Sequence, residues 1–364
     1  MNDAIVEIGI GITLFLVFGG LFFQKKGFFF IQLIWLMLID GFNSYSVDWD
    51  NNYLTFLTAQ SDSKGLNSLW LYSNLAVLAK SFGIDYVLFN GILASVSTLL
   101  IAYVIFKVSK RPTVVISLMF IYPFIDDIIQ KRWYYAMGIL IFGVYKSLNL
   151  KNKWFQFIGL FVTALIACQF HTGAIIFFTL PFYFLFSRKV QNFITIIIII
   201  AGTVGRNYIS ILLNAITGDS LAEKSELYFV TFASSSSVVH YMFWLIWHLI
   251  QAGMVFLLYK YVTNSKDDYK IWRLNVWSMC IIPLYSFDPV FSRIFRVILV
   301  FNYISISNSL WADGKMLNKK GILILMSQIA LSLISLFVFD INSALGVQFM
   351  IYDIFKYNNF MNWL

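Results

Sequence analysis

Apolar residues in this chain come in blocks long enough to cross a bilayer, separated by short polar connections. A spanning helix needs about 20 mainly apolar residues, within a range of about 17–25. By that measure twelve stretches are predicted to be helical spans: 4–23, 27–41, 85–106, 112–126, 132–149, 154–171, 172–187, 193–213, 239–262, 271–287, 293–310 and 321–339. A thirteenth apolar stretch, 66–82, contains Asn67, Asn74 and Lys80 and reads as an interfacial or re-entrant helix. The expected fold class is all-α: a polytopic integral membrane helical bundle of about twelve transmembrane helices, forming one domain over residues 1–364.

Composition closes off the other classes. Apolar residues make up 60% of the 364 and charged residues only 12%, against about 25% charged in a soluble domain. Mean hydropathy is +0.77, which excludes a soluble enzyme, a secreted disulfide scaffold and a disordered chain. The net charge of +8 belongs to short loops between apolar blocks, so it follows the positive-inside rule and does not indicate nucleic acid. Cys168 and Cys280 lie inside apolar blocks and indicate neither a disulfide framework nor a metal site. The first segment carries Asp3 and Glu7 in place of a basic leader and is expected to remain uncleaved.

Loop charges orient the bundle. In the twelve-helix count, 17 of the 26 basic residues fall on one side, among them Lys25, Lys26, Lys110, Arg111, Lys146, Arg188, Lys189, Lys270, Lys319 and Lys320. That side is expected to be cytoplasmic and both termini external. The longest connections, about 41–65 and 214–238, then emerge outside, with shorter outer turns at 126–132, at His171 and at 286–293. The inner loops contain no nucleotide-binding glycine loop and no soluble domain, so chemistry is expected on the outer face.

Arg132, Arg206, Arg293 and Arg296 run against the charge bias. An arginine at membrane depth costs at least about 2.5–3.5 kcal/mol, so it has a partner or a task. Arg293 and Arg296, three apart, share one face of their helix. A cluster of such planar forks suits a pyrophosphate; singly, each can snorkel or pair with a carboxylate. Asp126 and Asp127 read as helix-end residues beside Lys131 and Arg132, and Asp288-Pro289 as a turn. The stretch Asp48-Trp49-Asp50-Asn51-Asn52-Tyr53 offers carboxylates, amides and aromatic faces of the kinds that hold sugars. One of its carboxylates could accept a proton from a hydroxyl nucleophile, or the stretch could simply cap the next helix. His171 stands at an outer turn level with the arginines, whereas His240 and His248 show no metal-ligand spacing.

These residues together resemble the EpsG-type, or Wzy-like, polysaccharide polymerases of bacterial cell-surface glycan synthesis. The resemblance rests on Val47-Asp48-Trp49-Asp50-Asn51-Asn52-Tyr53, on Gln130-Lys131-Arg132-Trp133-Tyr134-Tyr135-Ala136 and on Ala167-Cys168-Gln169-Phe170-His171-Thr172-Gly173-Ala174. It extends to Ser292-Arg293-Ile294-Phe295-Arg296 with Tyr303 downstream, and spans roughly residues 45–305. Lys64-Gly65 stands where such proteins often carry an acidic-Gly or acidic-Pro element.

The resemblance implies an enzyme of the bacterial plasma membrane that works on oligosaccharide repeat units linked to undecaprenyl pyrophosphate. The terminal hydroxyl of a new unit attacks the anomeric carbon of the growing chain, and undecaprenyl pyrophosphate leaves. It further implies Arg132, Arg293 and Arg296, with Arg206, as the pyrophosphate clamp. Asp48, Asp50 or His171 is implied as the base, and Trp49, Tyr53 and Tyr303 as sugar contacts. A chain-length-regulating co-polymerase is a family-level expectation; no cofactor and no nucleic acid are expected, and a divalent metal is left open. The competing readings are a flippase or exporter of lipid-linked oligosaccharide, which often shows internal repeats that this chain lacks, an outer-face ligase-type glycosyltransferase, and a membrane acyltransferase.

Overall fold

A computed structural model of the chain describes residues 3–60, 69–205, 237–311, 318–342 and 346–361. Regular structure in these residues is helical, apart from an isolated β-bridge between Asn43 and Asn358. The helices are α1 (Asp3–Phe22), α2 (Lys26–Gly41), α3 (Trp49–Leu57), α4 (Trp70–Ser81), α5 (Tyr86–Val108), α6 (Pro112–Ile121), α7 (Phe124–Ile129) and α8 (Lys131–Leu148). They continue as α9 (Lys153–Cys168), α10 (Thr179–Leu185), α11 (Arg188–Val204), α12 (Val238–Leu258), α13 (Lys266–Ser278), α14 (Ser292–Ser309), α15 (Lys319–Ser335) and α16 (Asp353–Lys356).

Where described, each predicted stretch falls on helix, yet among the described residues four helices have both the length and the hydropathy of a span: Ala4–Phe22, Tyr86–Val108, Val238–Thr263 and Lys319–Ile341. The figure of twelve spans is therefore not reproduced. Several predicted spans are segmented. The stretch 112–126 breaks at Tyr122-Pro123 into α6 and α7, because proline supplies no N–H to continue the ladder. The stretch 172–187 is a 3₁₀ turn, Thr172–Phe178, followed by α10. Beyond α13 the chain tightens into 3₁₀ over Met279–Ser286, around Pro283.

Others fail on hydropathy because protein, and not lipid, surrounds them. Every residue of α14 except Arg293 and Asn308 is buried. It packs against α6, α8, α12, α13 and α15, so it can carry Asn302, Ser305, Ser307 and Arg296 at its buried positions. Small residues set the closest crossings. A Cβ on Gly41 would sit 3.1 Å from the Cα of Gly91 where α2 meets α5. There the Asn90 amide donates to the Gly41 carbonyl at 2.7 Å.

The basic connections gather at one end. Lys26 lies over Phe106, Arg111 over Trp311, and Lys270 donates to Asn149 at 2.7 Å. At the other end the first turns of α8 and α14 meet α3 and the turn at His171. The predicted outer connection 41–65 is thus not an open loop where described, since it contains α3. The apolar stretch 66–82 forms α4, whose Lys80 donates to the carbonyls of Leu57 and Ala59, both at 3.0 Å, tying it to the end of α3. Arg206 and the connection 214–238, up to residue 236, lie outside the described residues.

Candidate functional site

The site is assembled from four helix beginnings far apart in sequence. Gln130-Lys131-Arg132 starts α8, and Arg132 projects toward α3, where its Nε donates to Asn52 Oδ1 at 2.9 Å. Asn52 is itself buried, so this amide holds the guanidinium from a fixed position. Below it, buried Lys131 donates to the carbonyls of Asp40 and Asn43 at 3.1 and 3.3 Å, and its ammonium lies 5.7 Å from the centre of the Trp49 ring. Lys131 thereby ties the end of α2 to the start of α3.

Asp48 precedes α3 at its N-cap position, but its carboxylate makes no capping hydrogen bond. It is half-buried and lies within electrostatic reach of both Arg293 and Arg132. Burial raises its pKa above the usual carboxylate range, and the two guanidinium charges oppose that rise. Asp50, two residues on, is exposed. The structure thus separates two aspartates that the sequence left equivalent.

His171 begins the 3₁₀ turn, and its Nδ1 accepts the Gly173 N–H at 2.9 Å. Its ring packs edge-on against Trp133 with centroids 5.2 Å apart. The Nη1 of Arg293 lies 3.4 Å from Nε2. With Nδ1 committed as an acceptor, the neutral ring carries its proton on Nε2, a tautomer assigned from the hydrogen-bond geometry. In that tautomer Nε2 is itself a donor, so Arg293 lies beside the ring without donating to it. Arg293 also donates from Nε to the Val290 carbonyl at 3.0 Å. Asp288 turns back to accept the Val290 N–H at 2.6 Å. Burial raises the Asp288 pKa, opposed by that hydrogen bond and by Arg293.

Arg296 departs from expectation. It is one turn from Arg293 but buried, bridging to Asp126 at 2.7 Å and Asp127 at 3.6 Å, with Nη1 donating to Gln130 Oε1 at 3.3 Å. Asp126 and Asp127 are therefore not companions of Lys131 and Arg132; they compensate Arg296. Two carboxylates at contact distance leave that guanidinium little capacity for a pyrophosphate. Tyr303 is also elsewhere: it is fully buried, and its hydroxyl is already committed to the Tyr122 carbonyl at 2.9 Å. Trp49 and Tyr53 do form a near-parallel aromatic pair, centroids 6.4 Å apart, with Tyr53 41% exposed and Tyr86 packed against both.

Sequence reasoning missed Asn52 as the anchor of Arg132, and the buried Lys131 held by the Asp40 and Asn43 carbonyls beneath the motif. Among the described residues, no group of three or more His, Cys, Asp and Glu side chains could hold a metal ion. The arrangement offers two positive forks beside one half-buried carboxylate and an imidazole, flanked by an aromatic platform.

A comparison with curated proteins and with solved structures returns no match. The EpsG family model, by contrast, matches residues 26–359, a span that takes in α2 to α16 and every group described above. The chain therefore belongs to the EpsG family, a Wzy-like polysaccharide polymerase family.

Proposed function

We propose that this chain joins oligosaccharide repeat units carried on undecaprenyl pyrophosphate, at the outer face of a bacterial plasma membrane. The observation that carries the reading is the meeting of Arg132, Arg293, His171 and Asp48 at the end of the bundle opposite the basic connections. The positive-inside rule supports calling that end external.

Asp48 takes the proton from the acceptor hydroxyl. The oxygen forms a bond to the anomeric carbon of the growing chain while the bond from that carbon to pyrophosphate breaks. Charge develops on the leaving pyrophosphate, and Arg132 and Arg293 offset it; fixed donors aimed at developing charge are commonly the largest single contribution to such steps. His171 packs beside Arg293, Trp49 and Tyr53 stack a sugar, and Arg296 holds α7 against α14. The reading takes its charge neutralisation from guanidinium groups and invokes no cofactor. A chain-length-setting co-polymerase is a further partner in this proposal.

The test is reconstitution of the purified protein with a lipid-linked repeat unit, read as a ladder on a gel. Multiple units without added nucleotide sugar support polymerisation. A substrate that stays a single unit but crosses the liposome bilayer makes the protein a flippase and overturns the proposal.

A further inference from the structure

Three buried side chains around Arg132 have a polar atom with no partner among the described residues: Tyr72 through its hydroxyl, Trp133 through Nε1 and Gln169 through Oε1. Tyr72 and Trp133 are fully buried, and Gln169 is 7% exposed. They come from α4, from α8 and from the end of α9, and tertiary structure gathers them. The Tyr72 N–H donates to the Gln169 carbonyl at 3.4 Å. Trp133 follows Arg132 in sequence and packs on His171, two residues beyond Gln169. Burial pushes the Tyr72 phenol up to about 12, against the opposing charge of Arg132, so the group stays a neutral hydroxyl.

An orphaned buried polar group is destabilising, and each such group in a native structure calls for an explanation. Three at one junction, all uncharged, offer a donor, an acceptor and a group that serves as either. An anion accepts only and would leave the glutamine oxygen unmatched. Adjacent sugar hydroxyls both donate and accept, and so match all three. We propose that Tyr72, Trp133 and Gln169 form a subsite that hydrogen-bonds the hydroxyl groups of one sugar of the glycan, next to the Arg132 guanidinium. Their task is to select and seat the sugar close to the pyrophosphate. Naming the ligand as a lipid-linked glycan rests on the polymerase reading.

Tyr72→Phe and Gln169→Met remove the polar atoms with little change of volume. Two probes bind to the purified full chain in detergent: lipid-linked oligosaccharide extracted from cells lacking this protein, and sugar-free undecaprenyl pyrophosphate. Each variant is expected to bind the first about tenfold more weakly, a contact made by a site built for hydroxyls, and the second as wild type does. Melting temperature should be unchanged or higher, because a merely structural polar group would not be orphaned. Wild-type affinity for the glycan lipid in both variants, with a ladder from the wild-type protein, overturns the subsite and leaves the polymerase. Equal weakening toward both probes also overturns it. No ladder from wild type, with glycan affinity still lost in the variants, overturns the polymerase and leaves the subsite.

Discussion

The starts of α8 and α14 carry arginines against the charge bias, and two of these, Arg132 and Arg296, are held in opposite ways. Arg132 is anchored by a neutral amide, Asn52 Oδ1 at 2.9 Å, and among the described residues it makes no ion pair within 4 Å. Arg296 is buried against Asp126 and Asp127. An amide fixes a guanidinium in place without cancelling its charge, whereas a carboxylate cancels the charge it fixes. At 2.7 Å and an effective dielectric near 20, the Arg296–Asp126 attraction is roughly 6 kcal/mol, most of it set against desolvation of both ions. The first arrangement keeps charge available to a ligand; the second ties helices together.

Removing the structural arginine should give the largest effect on the fold. Arg296→Leu leaves one buried and one part-buried carboxylate uncompensated and should lose about 3–5 kcal/mol, seen as loss of folded protein from detergent extracts. Adding Asp126→Asn and Asp127→Asn should recover much of it. If Arg296→Leu expresses and melts like wild type, the contrast fails. Arg132→Ala should do the reverse, lowering polymer formation about 10²–10³-fold, as loss of a charge-stabilising donor does, at unchanged melting temperature. Normal polymer from this variant removes the pyrophosphate clamp.

A smaller effect concerns pH. The base acts as a carboxylate, so activity should fall as pH drops through the Asp48 pKa, which burial holds above the ordinary value of about 3.9. Arg293 opposes that rise, so in the residual activity of Arg293→Gln the acid limb of kcat/KM should move to still higher pH. An acid limb that does not move detaches Asp48 from the rate. The smallest effect is expected at the opposite end of the bundle. Lys319→Ala, exposed at the start of α15, should change stability by less than about 0.5 kcal/mol and leave the ladder as it is.

Much of the outline was legible from the residues. Helical stretches follow from runs of apolar residues, because hydropathy over a window is a local property. The gathering of Lys26, Arg111 and Lys270 at one end follows from loop charge. Arg132, His171 and Arg293 were marked by being charged or polar where neighbours are not. The count of spans is not settled by hydropathy: the predicted span 293–310 is α14, too polar by window average to look lipid-facing, yet it lies at the centre, where neighbouring side chains satisfy Asn302, Ser305 and Ser307.

Partner choice was beyond the sequence. Arg293 and Arg296 share a helix face by spacing alone, and only packing sends one to His171, 122 positions away, and the other to Asp126. Asp48 and Asp50 are neighbours in one motif, and only the fold of α3 against α8 half-buries the first and exposes the second. The sequence by itself determined which segments are helical, which end is basic and which residues are chemically out of place. Tertiary structure alone decided which of those charges are cancelled and which are held open, because that depends on contacts between helices scores of residues apart.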